Sequence, residues 1–242
     1  RSTTNYLINQ TQKILGVLGG MGPAATVEFL NILITKYPAN CDQEYPKIFL
    51  LMNPQIPDRN KALFENGENP TPYLKEGLYT LKKWGADFLA VPCNAAHYFI
   101  DTFIDELNTP FIHIIEQTII KAKRISPNGA WIISTLSTRK TNLYGKYARK
   151  EDYILFYPDW ELLEDIQKAV DLVKAGNIKE SGKRLEPLLK KLWKEKNVPI
   201  IAGCTELPLA YKEANLPTDL MISSLEALAD GCIDFWLKGL FS

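Results

Sequence analysis

Eight short apolar runs, each followed by a longer amphipathic stretch, limit what this chain can fold into. The runs are Ile14–Leu18, Ile48–Met52, Phe88–Val91, Phe111–His113, Trp131–Ser134, Tyr153–Phe156, Pro199–Ala202 and Leu220–Ile222. Their alternation with helical patterns is that of a parallel α/β architecture. Candidate helices are Ala24–Lys36, Tyr73–Trp84, Ala96–Leu107, Glu116–Arg124, Lys140–Arg149, Glu161–Ala175, Ile178–Lys194, Pro208–Glu213 and Leu225–Leu237. The last is the most regular. Leu225, Leu228, Ala229, Cys232, Ile233 and Trp236 recur at helical spacing behind Ser223 and Ser224, either of which can cap it.

The pattern repeats. Gly16-Val17-Leu18-Gly19-Gly20 leads over about 75 residues to a strand ending near Cys93, and Ile132-Ile133-Ser134-Thr135 leads over about 70 to one ending at Cys204. Two similar α/β halves facing each other place both cysteine turns in one cleft, because ligands bind outside the carboxyl ends of parallel strands. The turns themselves are alike: Pro92-Cys93-Asn94-Ala95-Ala96-His97 and Gly203-Cys204-Thr205-Glu206 each separate a strand from a helical segment. Backbone N–H groups at a helix start favour a thiolate. A thiol on each side of one substrate supplies the paired base and acid that inversion of a carbon centre needs. A lone cysteine after a strand is more often a small buried apolar group. Cys41 and Cys232 lack the turn context and are read as non-functional.

Four cysteines in 242 residues are too sparse for a disulfide scaffold, and two histidines with no Cys-x-x-Cys make a poor zinc set. With 28 basic and 28 acidic residues the chain has no field to attract nucleic acid, and no apolar run approaches the roughly 20 residues of a membrane span. Free thiols without a targeting signal favour a cytoplasmic setting, although the start at Arg1 leaves room for a removed segment.

Three loops could hold a substrate. Gly19-Gly20-Met21-Gly22-Pro23 opens a helix and is neither a dinucleotide-binding fingerprint nor a P-loop. In Asn53-Pro54-Gln55-Ile56-Pro57-Asp58-Arg59-Asn60, Arg59 can present a planar fork to a carboxylate or simply pair with Asp58. Lys174, near a helix C-terminus, can serve a ligand or the helix dipole. His97 and Glu206 sit close after the two cysteines, as orienting groups or as ordinary structural residues.

Taken together, Gly19–Thr26, Met52–Arg59, Pro92-Cys93-Asn94 and Gly203-Cys204-Thr205-Glu206 resemble the cofactor-independent aspartate/glutamate racemase family, in the family's order, across Lys13 to Leu237. The aspartate racemase branch is the nearer, since glutamate racemases usually carry histidine where this chain has Glu206. The resemblance implies two pseudosymmetric α/β domains with mainly parallel sheets and an active site in the interdomain cleft. The expected division is 13–109 plus 214–242, carrying Cys93, and 110–213, carrying Cys204.

It further implies that Cys93 and Cys204 act as base and acid on L- and D-aspartate, or a close acidic amino acid, with no cofactor and no metal. Arg59 and Lys174 are then carboxylate ligands, with Met21, Gly22, Asn94, Thr135, Thr138 and Thr205 as further substrate contacts and Asn53, His97 and Glu206 in support. A homodimer is expected. Alternatives are a glutamate or broad-specificity racemase, a hydantoin racemase, a maleate isomerase-like enzyme, or a protein that binds an acidic metabolite without turnover.

Three positions depart from the family pattern. Ala95 and Asn60 stand where threonine is usual, and Ser137 where glycine is usual. At Ala95 the chain lacks a hydroxyl expected at the α-carboxylate, a hydrogen bond to a charged group worth about 1.5–3 kcal/mol.

Overall fold

A computed structural model describes residues 12–239; the tail of the expected 214–242 segment, residues 240–242, lies outside them. The eight apolar runs form two four-stranded parallel sheets. The first contains β1 (Leu15–Gly19), β2 (Ile48–Met52), β3 (Phe88–Ala90) and β4 (Phe111–Ile112) in the order β2-β1-β3-β4. The second contains β5 (Ala130–Ser134), β6 (Leu155–Phe156), β7 (Ile200–Gly203) and β8 (Met221–Ser223) in the order β6-β5-β7-β8. Strand for strand the two orders are the same, so β3 and β7, which lead into the two cysteine turns, hold equivalent places.

Sheet membership shifts both ends of the expected division. Phe111–Ile112 pairs with β3, beyond residue 109, and Met221–Ser223 pairs with β7, although 214–242 was expected to join the first half. Each strand follows the parallel partner that buries it, which a boundary drawn on sequence spacing does not reveal.

The helices are α1 (Pro23–Lys36), α2 (Arg59–Phe64), α3 (Thr71–Lys83), α4 (Ala96–Ile100), α5 (Ile114–Ile125) and α6 (Leu136–Thr141). They continue with α7 (Leu143–Lys150), α8 (Trp160–Lys174), α9 (Ile178–Glu195), α10 (Leu207–Glu213) and α11 (Ser224–Gly239). Two expected helices are broken. Ala96–Leu107 stops at Ile100, beyond which the N–H groups of Thr102 and Phe103 turn to the tighter i−3 carbonyls of Phe99 and Ile100 at 3.2 and 3.0 Å, and a 3-10 turn follows at Ile104–Leu107. The stretch around Lys140–Arg149 is two helices separated by Asn142, whose φ of 51° is left-handed. Helix α2 lies where the sequence suggests a loop, because Pro54 and Pro57 mask a start that Asp58 provides by accepting the Lys61 N–H at 2.9 Å.

Alternate residues of the central strands go to different cores. Leu15, Val17, Phe88 and Ala90 of the first sheet join Ile132, Ile201 and Ile222 of the second in one shared apolar layer. Their neighbours Leu18, Leu89 and Val91 face α3, whereas Trp131, Ile133 and Ile200 face α8 and α9. Helix α11 seals the shared layer, packing on both α1 and α5. Its Trp236 is 1% exposed, lies edge-on to Tyr37 and Phe88, and donates its indole N–H to the Lys13 carbonyl at 2.7 Å.

Trp236→Ala is therefore expected to cost about 3–5 kcal/mol in urea unfolding. Trp236→Phe, which keeps most of the packing and gives up the hydrogen bond, should cost about 1–2 kcal/mol. Equal losses would mean that the indole N–H, and not the packing, carries the contribution.

Candidate active site

Cys93 and Cys204 follow the carboxyl ends of β3 and β7 and line one cleft between the two sheets. Both side chains are nearly sealed, at 5% and 2% exposure. Met21, Asn94, Thr135, Lys174 and Thr205 line the same cleft, as do Arg59 and Glu206.

Glu206 organises the second cysteine. The Cys204 S–H donates to its Oε2 at 3.0 Å, and Thr205 Oγ1 donates to the same oxygen at 3.3 Å. Its Oε1 accepts from Lys174 Nζ and from the Gly22 backbone N–H, both at 3.0 Å. Burial opposes a charge on Glu206, but Lys174, the Cys204 S–H and the Gly22 N–H outweigh it and hold the carboxyl below its ordinary value. Burial likewise opposes the charge on Lys174, which is 34% exposed. Glu206 and the two thiol positions overcome that and raise it.

Burial first, and then the Glu206 charge, push the Cys204 thiol well above its ordinary value against the pull of Lys174. A turn expected to favour a thiolate thus keeps Cys204 protonated. The helix-start argument holds only where solvent or cations reach the sulfur.

The first cysteine is held from behind. Ile114 N–H donates to His97 Nε2 at 3.4 Å, which puts the ring proton on Nδ1, and that nitrogen donates to the Cys93 carbonyl at 2.7 Å. Burial, reinforced by the adjacent His113, lowers His97 to about 3, so the ring is neutral. His97 is a clamp on the backbone of the cysteine turn. His113 continues the cluster, donating from Nε2 to Asp101 Oδ1 at 2.9 Å while its Nδ1 caps α5 by accepting the Glu116 N–H. Asn94 is also committed: its Nδ2 donates to Ser224 Oγ at 3.0 Å, and its Oδ1 accepts from the Tyr144 hydroxyl.

Arg59 is not paired with Asp58, which caps α2. Its Nη1 donates instead to the Pro57 and Ile56 carbonyls at 2.9 and 3.2 Å, which aims the guanidinium along the cleft wall. Across from it, the start of α6 has its N–H groups satisfied one by one. Leu136 donates to Gln167 Oε1 at 3.0 Å, Ser137 to Asn60 Oδ1 at 3.1 Å and Thr138 to Thr135 Oγ1 at 3.4 Å.

Thr138 is buried against Thr135 and lies outside the cleft lining, while Thr135 stays in it. Asn53 is also outside it, its Oδ1 taking the Gln55 N–H at 3.0 Å. Gln167 and Asp171 also line the cleft, beyond the residues that the sequence motifs single out. The signal was available, since 167, 171 and 174 share one face of α8 at helical spacing. Among the described residues no group of three His, Cys, Asp or Glu side chains is placed to hold a metal ion, and no helix is long and apolar enough to cross a membrane.

Two parallel sheets meeting over a cleft, with a thiol at the carboxyl edge of each, define the class. The chain belongs to the Asp/Glu/Hydantoin racemase family, whose model matches residues 18–231. A structure of Picrophilus torridus aspartate racemase superposes with a TM-score of 0.79 at 30% identity, over 92% of this chain and 94% of that one. The broad specificity amino-acid racemase RacX of Bacillus subtilis (strain 168) is 25% identical over 232 residues, 93% of this chain and 98% of that protein. Glutamate racemase isoform RacE1 from Bacillus anthracis shares the fold, with a TM-score of 0.64 at 21% identity over 93% of this chain and 82% of that one.

The His97 clamp has a pH signature. Its folded value is depressed, to about 3 from an ordinary 6.5. The stability it contributes is therefore complete above pH 6.5 and is lost as pH falls toward 3. The depressed carboxyls Asp101 and Glu206 start from ordinary values of 3.8 and 4.5, so the interval from pH 6.5 to 5 isolates the histidine. Over that interval urea-unfolding stability should fall with a slope approaching about 1.4 kcal/mol per pH unit. His97→Asn should flatten the slope, and equal slopes in the two proteins would show that the fold does not hold His97 neutral.

Proposed function

We propose that this chain racemises a free α-amino acid by 1,1-proton transfer between Cys93 and Cys204, with aspartate as the substrate. The observation that carries the reading is the pair of nearly sealed thiols at equivalent strand ends over one cleft. Cys93 as thiolate takes the α-proton, and the electron pair left on the α-carbon accepts a proton from the Cys204 S–H on the opposite face. The product is the antipode. Cys93 ends as thiol and Cys204 as thiolate, ready for the reverse direction.

The resting proton on Cys204, held by its hydrogen bond to Glu206, supports the acid role in the first half of this cycle. Lys174, bonded to Glu206 and lining the cleft with both cysteines, whose charges act on it, is placed to offset the negative charge that moves from one cysteine to the other. Arg59 and Lys174 take the side-chain carboxylate in this reading, which agrees with the similarity to the Picrophilus torridus aspartate racemase.

A second reading has its own support. The Lys174 charge is already matched by Glu206 at 3.0 Å, which leaves Arg59 as the cleft cation without a carboxylate partner among the described residues. One such cation suits the single α-carboxylate of a neutral amino acid, in keeping with the similarity to the broad specificity racemase RacX.

Cys93→Ala and Cys204→Ala should each abolish conversion of L- to D-aspartate, followed by chirality and α-deuterium in D₂O, while leaving the unfolding midpoint near wild type. Full turnover in either folded variant would remove the two-thiol mechanism. Arg59→Leu separates the substrate readings. If Arg59 holds the aspartate side chain, kcat/KM should fall for aspartate by about 2–5 kcal/mol more than for alanine or serine, as for a broken desolvated charge pair. An equal fall on both classes would favour the neutral-substrate reading.

A further inference from the structure

The two halves are joined very differently on the two sides of the cleft. At its back, the shared apolar layer runs unbroken from Leu15, Val17 and Ala90 of one sheet to Ile132, Ile201 and Ile222 of the other. Elsewhere the ties across the cleft are polar: inside it the Gly22 N–H donates to Glu206 Oε1 at 3.0 Å, and at its mouth α2 meets α6 through two contacts. Asn60 Oδ1, on α2, accepts the Ser137 N–H of α6 at 3.1 Å. Beside it, Lys140 Nζ donates to the Leu63 carbonyl at 2.9 Å and stands 4.3 Å from the centre of the Phe64 ring.

A layer of interlocked side chains resists separation, whereas a single part-buried hydrogen bond contributes little net and breaks far more readily. With Cys93 at 5% and Cys204 at 2% exposure, the structure is closed, and any ligand of these thiols enters by parting something. The mouth is the side that can part.

We propose that Asn60 is the latch of this cleft. Its carboxamide fastens α2 to α6, and release of that bond lets the mouth part around the deeper Gly22–Glu206 tie, while its return restores Arg59, the preceding residue, to its place in the cleft wall. The other α6 N–H groups nearby point the same way. Leu136 and Thr138 are satisfied from within the second half, by Gln167 and Thr135, so only the Ser137 N–H reaches across. The latch rests on the racemase reading for what enters the cleft, but not for the opening itself.

Thiol alkylation tests the latch without a turnover assay. The four cysteines report separately: Cys41 is exposed, Cys232 is fully buried in the shared layer, and Cys93 and Cys204 report the cleft. The full-length protein is treated with iodoacetamide and each site's rate is read by peptide mass spectrometry. Asn60→Ala should speed Cys93 and Cys204 by about three- to tenfold, the change in an opening equilibrium that loss of one net hydrogen bond produces, with Cys41 and Cys232 unchanged. Asn60→Asp, which keeps an acceptor for the Ser137 N–H, should stay within about twofold of wild type. Lys140→Met, at an exposed side chain, should act in the same direction as Asn60→Ala and more weakly.

Cleft thiols that react at the wild-type rate in Asn60→Ala overturn the latch, whatever Lys140→Met does. So does a Cys232 that speeds up in step with them, because the bond then holds the fold and not the mouth. An enzyme assay adds an independent reading, in which Asn60→Ala raises KM more than it lowers kcat. If no amino acid is turned over at all, the racemase reading fails while the alkylation pattern still decides the latch.

Discussion

The apolar layer between the two sheets is the constraint on which the rest of this molecule depends. Each central strand sends alternate side chains into it, and α11 covers it with Trp236 at one end. Because the layer is shared, the two sheets cannot choose their relative placement independently. Their carboxyl edges are brought to one cleft, and a turn leaving either edge faces a turn leaving the other. The layout of the cleft is thus set by a hydrophobic surface that contains neither of its cysteine turns.

Inside the cleft, the next constraint is electrostatic. Glu206 is 3% exposed and charged, which is tolerable only because Lys174, Gly22, Thr205 and Cys204 all donate to it. Removing one partner of such a buried pair leaves an uncompensated charge, typically at a cost of 3–5 kcal/mol. The network therefore locks three elements at once: the start of α1 through Gly22, the end of α8 through Lys174 and the second cysteine turn. It also gives the two cysteines unequal surroundings. Cys204 is tied to an anion that keeps its proton in place, whereas Cys93 has its carbonyl clamped by a neutral histidine. Pseudosymmetry of the fold does not extend to the environments of its two sulfurs.

Particular residues show why some of this was legible beforehand and some was not. The strands were readable because burial of a parallel strand demands contiguous apolar residues, as in Ile14–Leu18 or Pro199–Ala202. Helix α2 was hidden, since Pro54 and Pro57 signal a loop and the Asp58 cap becomes evident only when its oxygen is seen on the Lys61 N–H. His97 was open between two roles because its acceptor is a backbone carbonyl, and no side-chain pattern records which carbonyl lies within reach. Thr138 carried the expected residue type at the expected spacing, yet the turn of α6 directs its hydroxyl to Thr135 and away from the cleft lining.

The sequence by itself determined the α/β class, the twofold repetition and the two cysteine turns, because these depend on local hydrophobic period and on turn chemistry, which are written residue by residue. Only the tertiary structure decided the protonation of Cys204, the engagement of Lys174 with Glu206 and the meeting of Asn60 with Ser137. Each joins groups distant in the chain: 32 positions separate Lys174 from Glu206, and 77 separate Asn60 from Ser137. Charge state and contact at such range follow from burial and distance in space, and those exist only once the two sheets have closed on their common core.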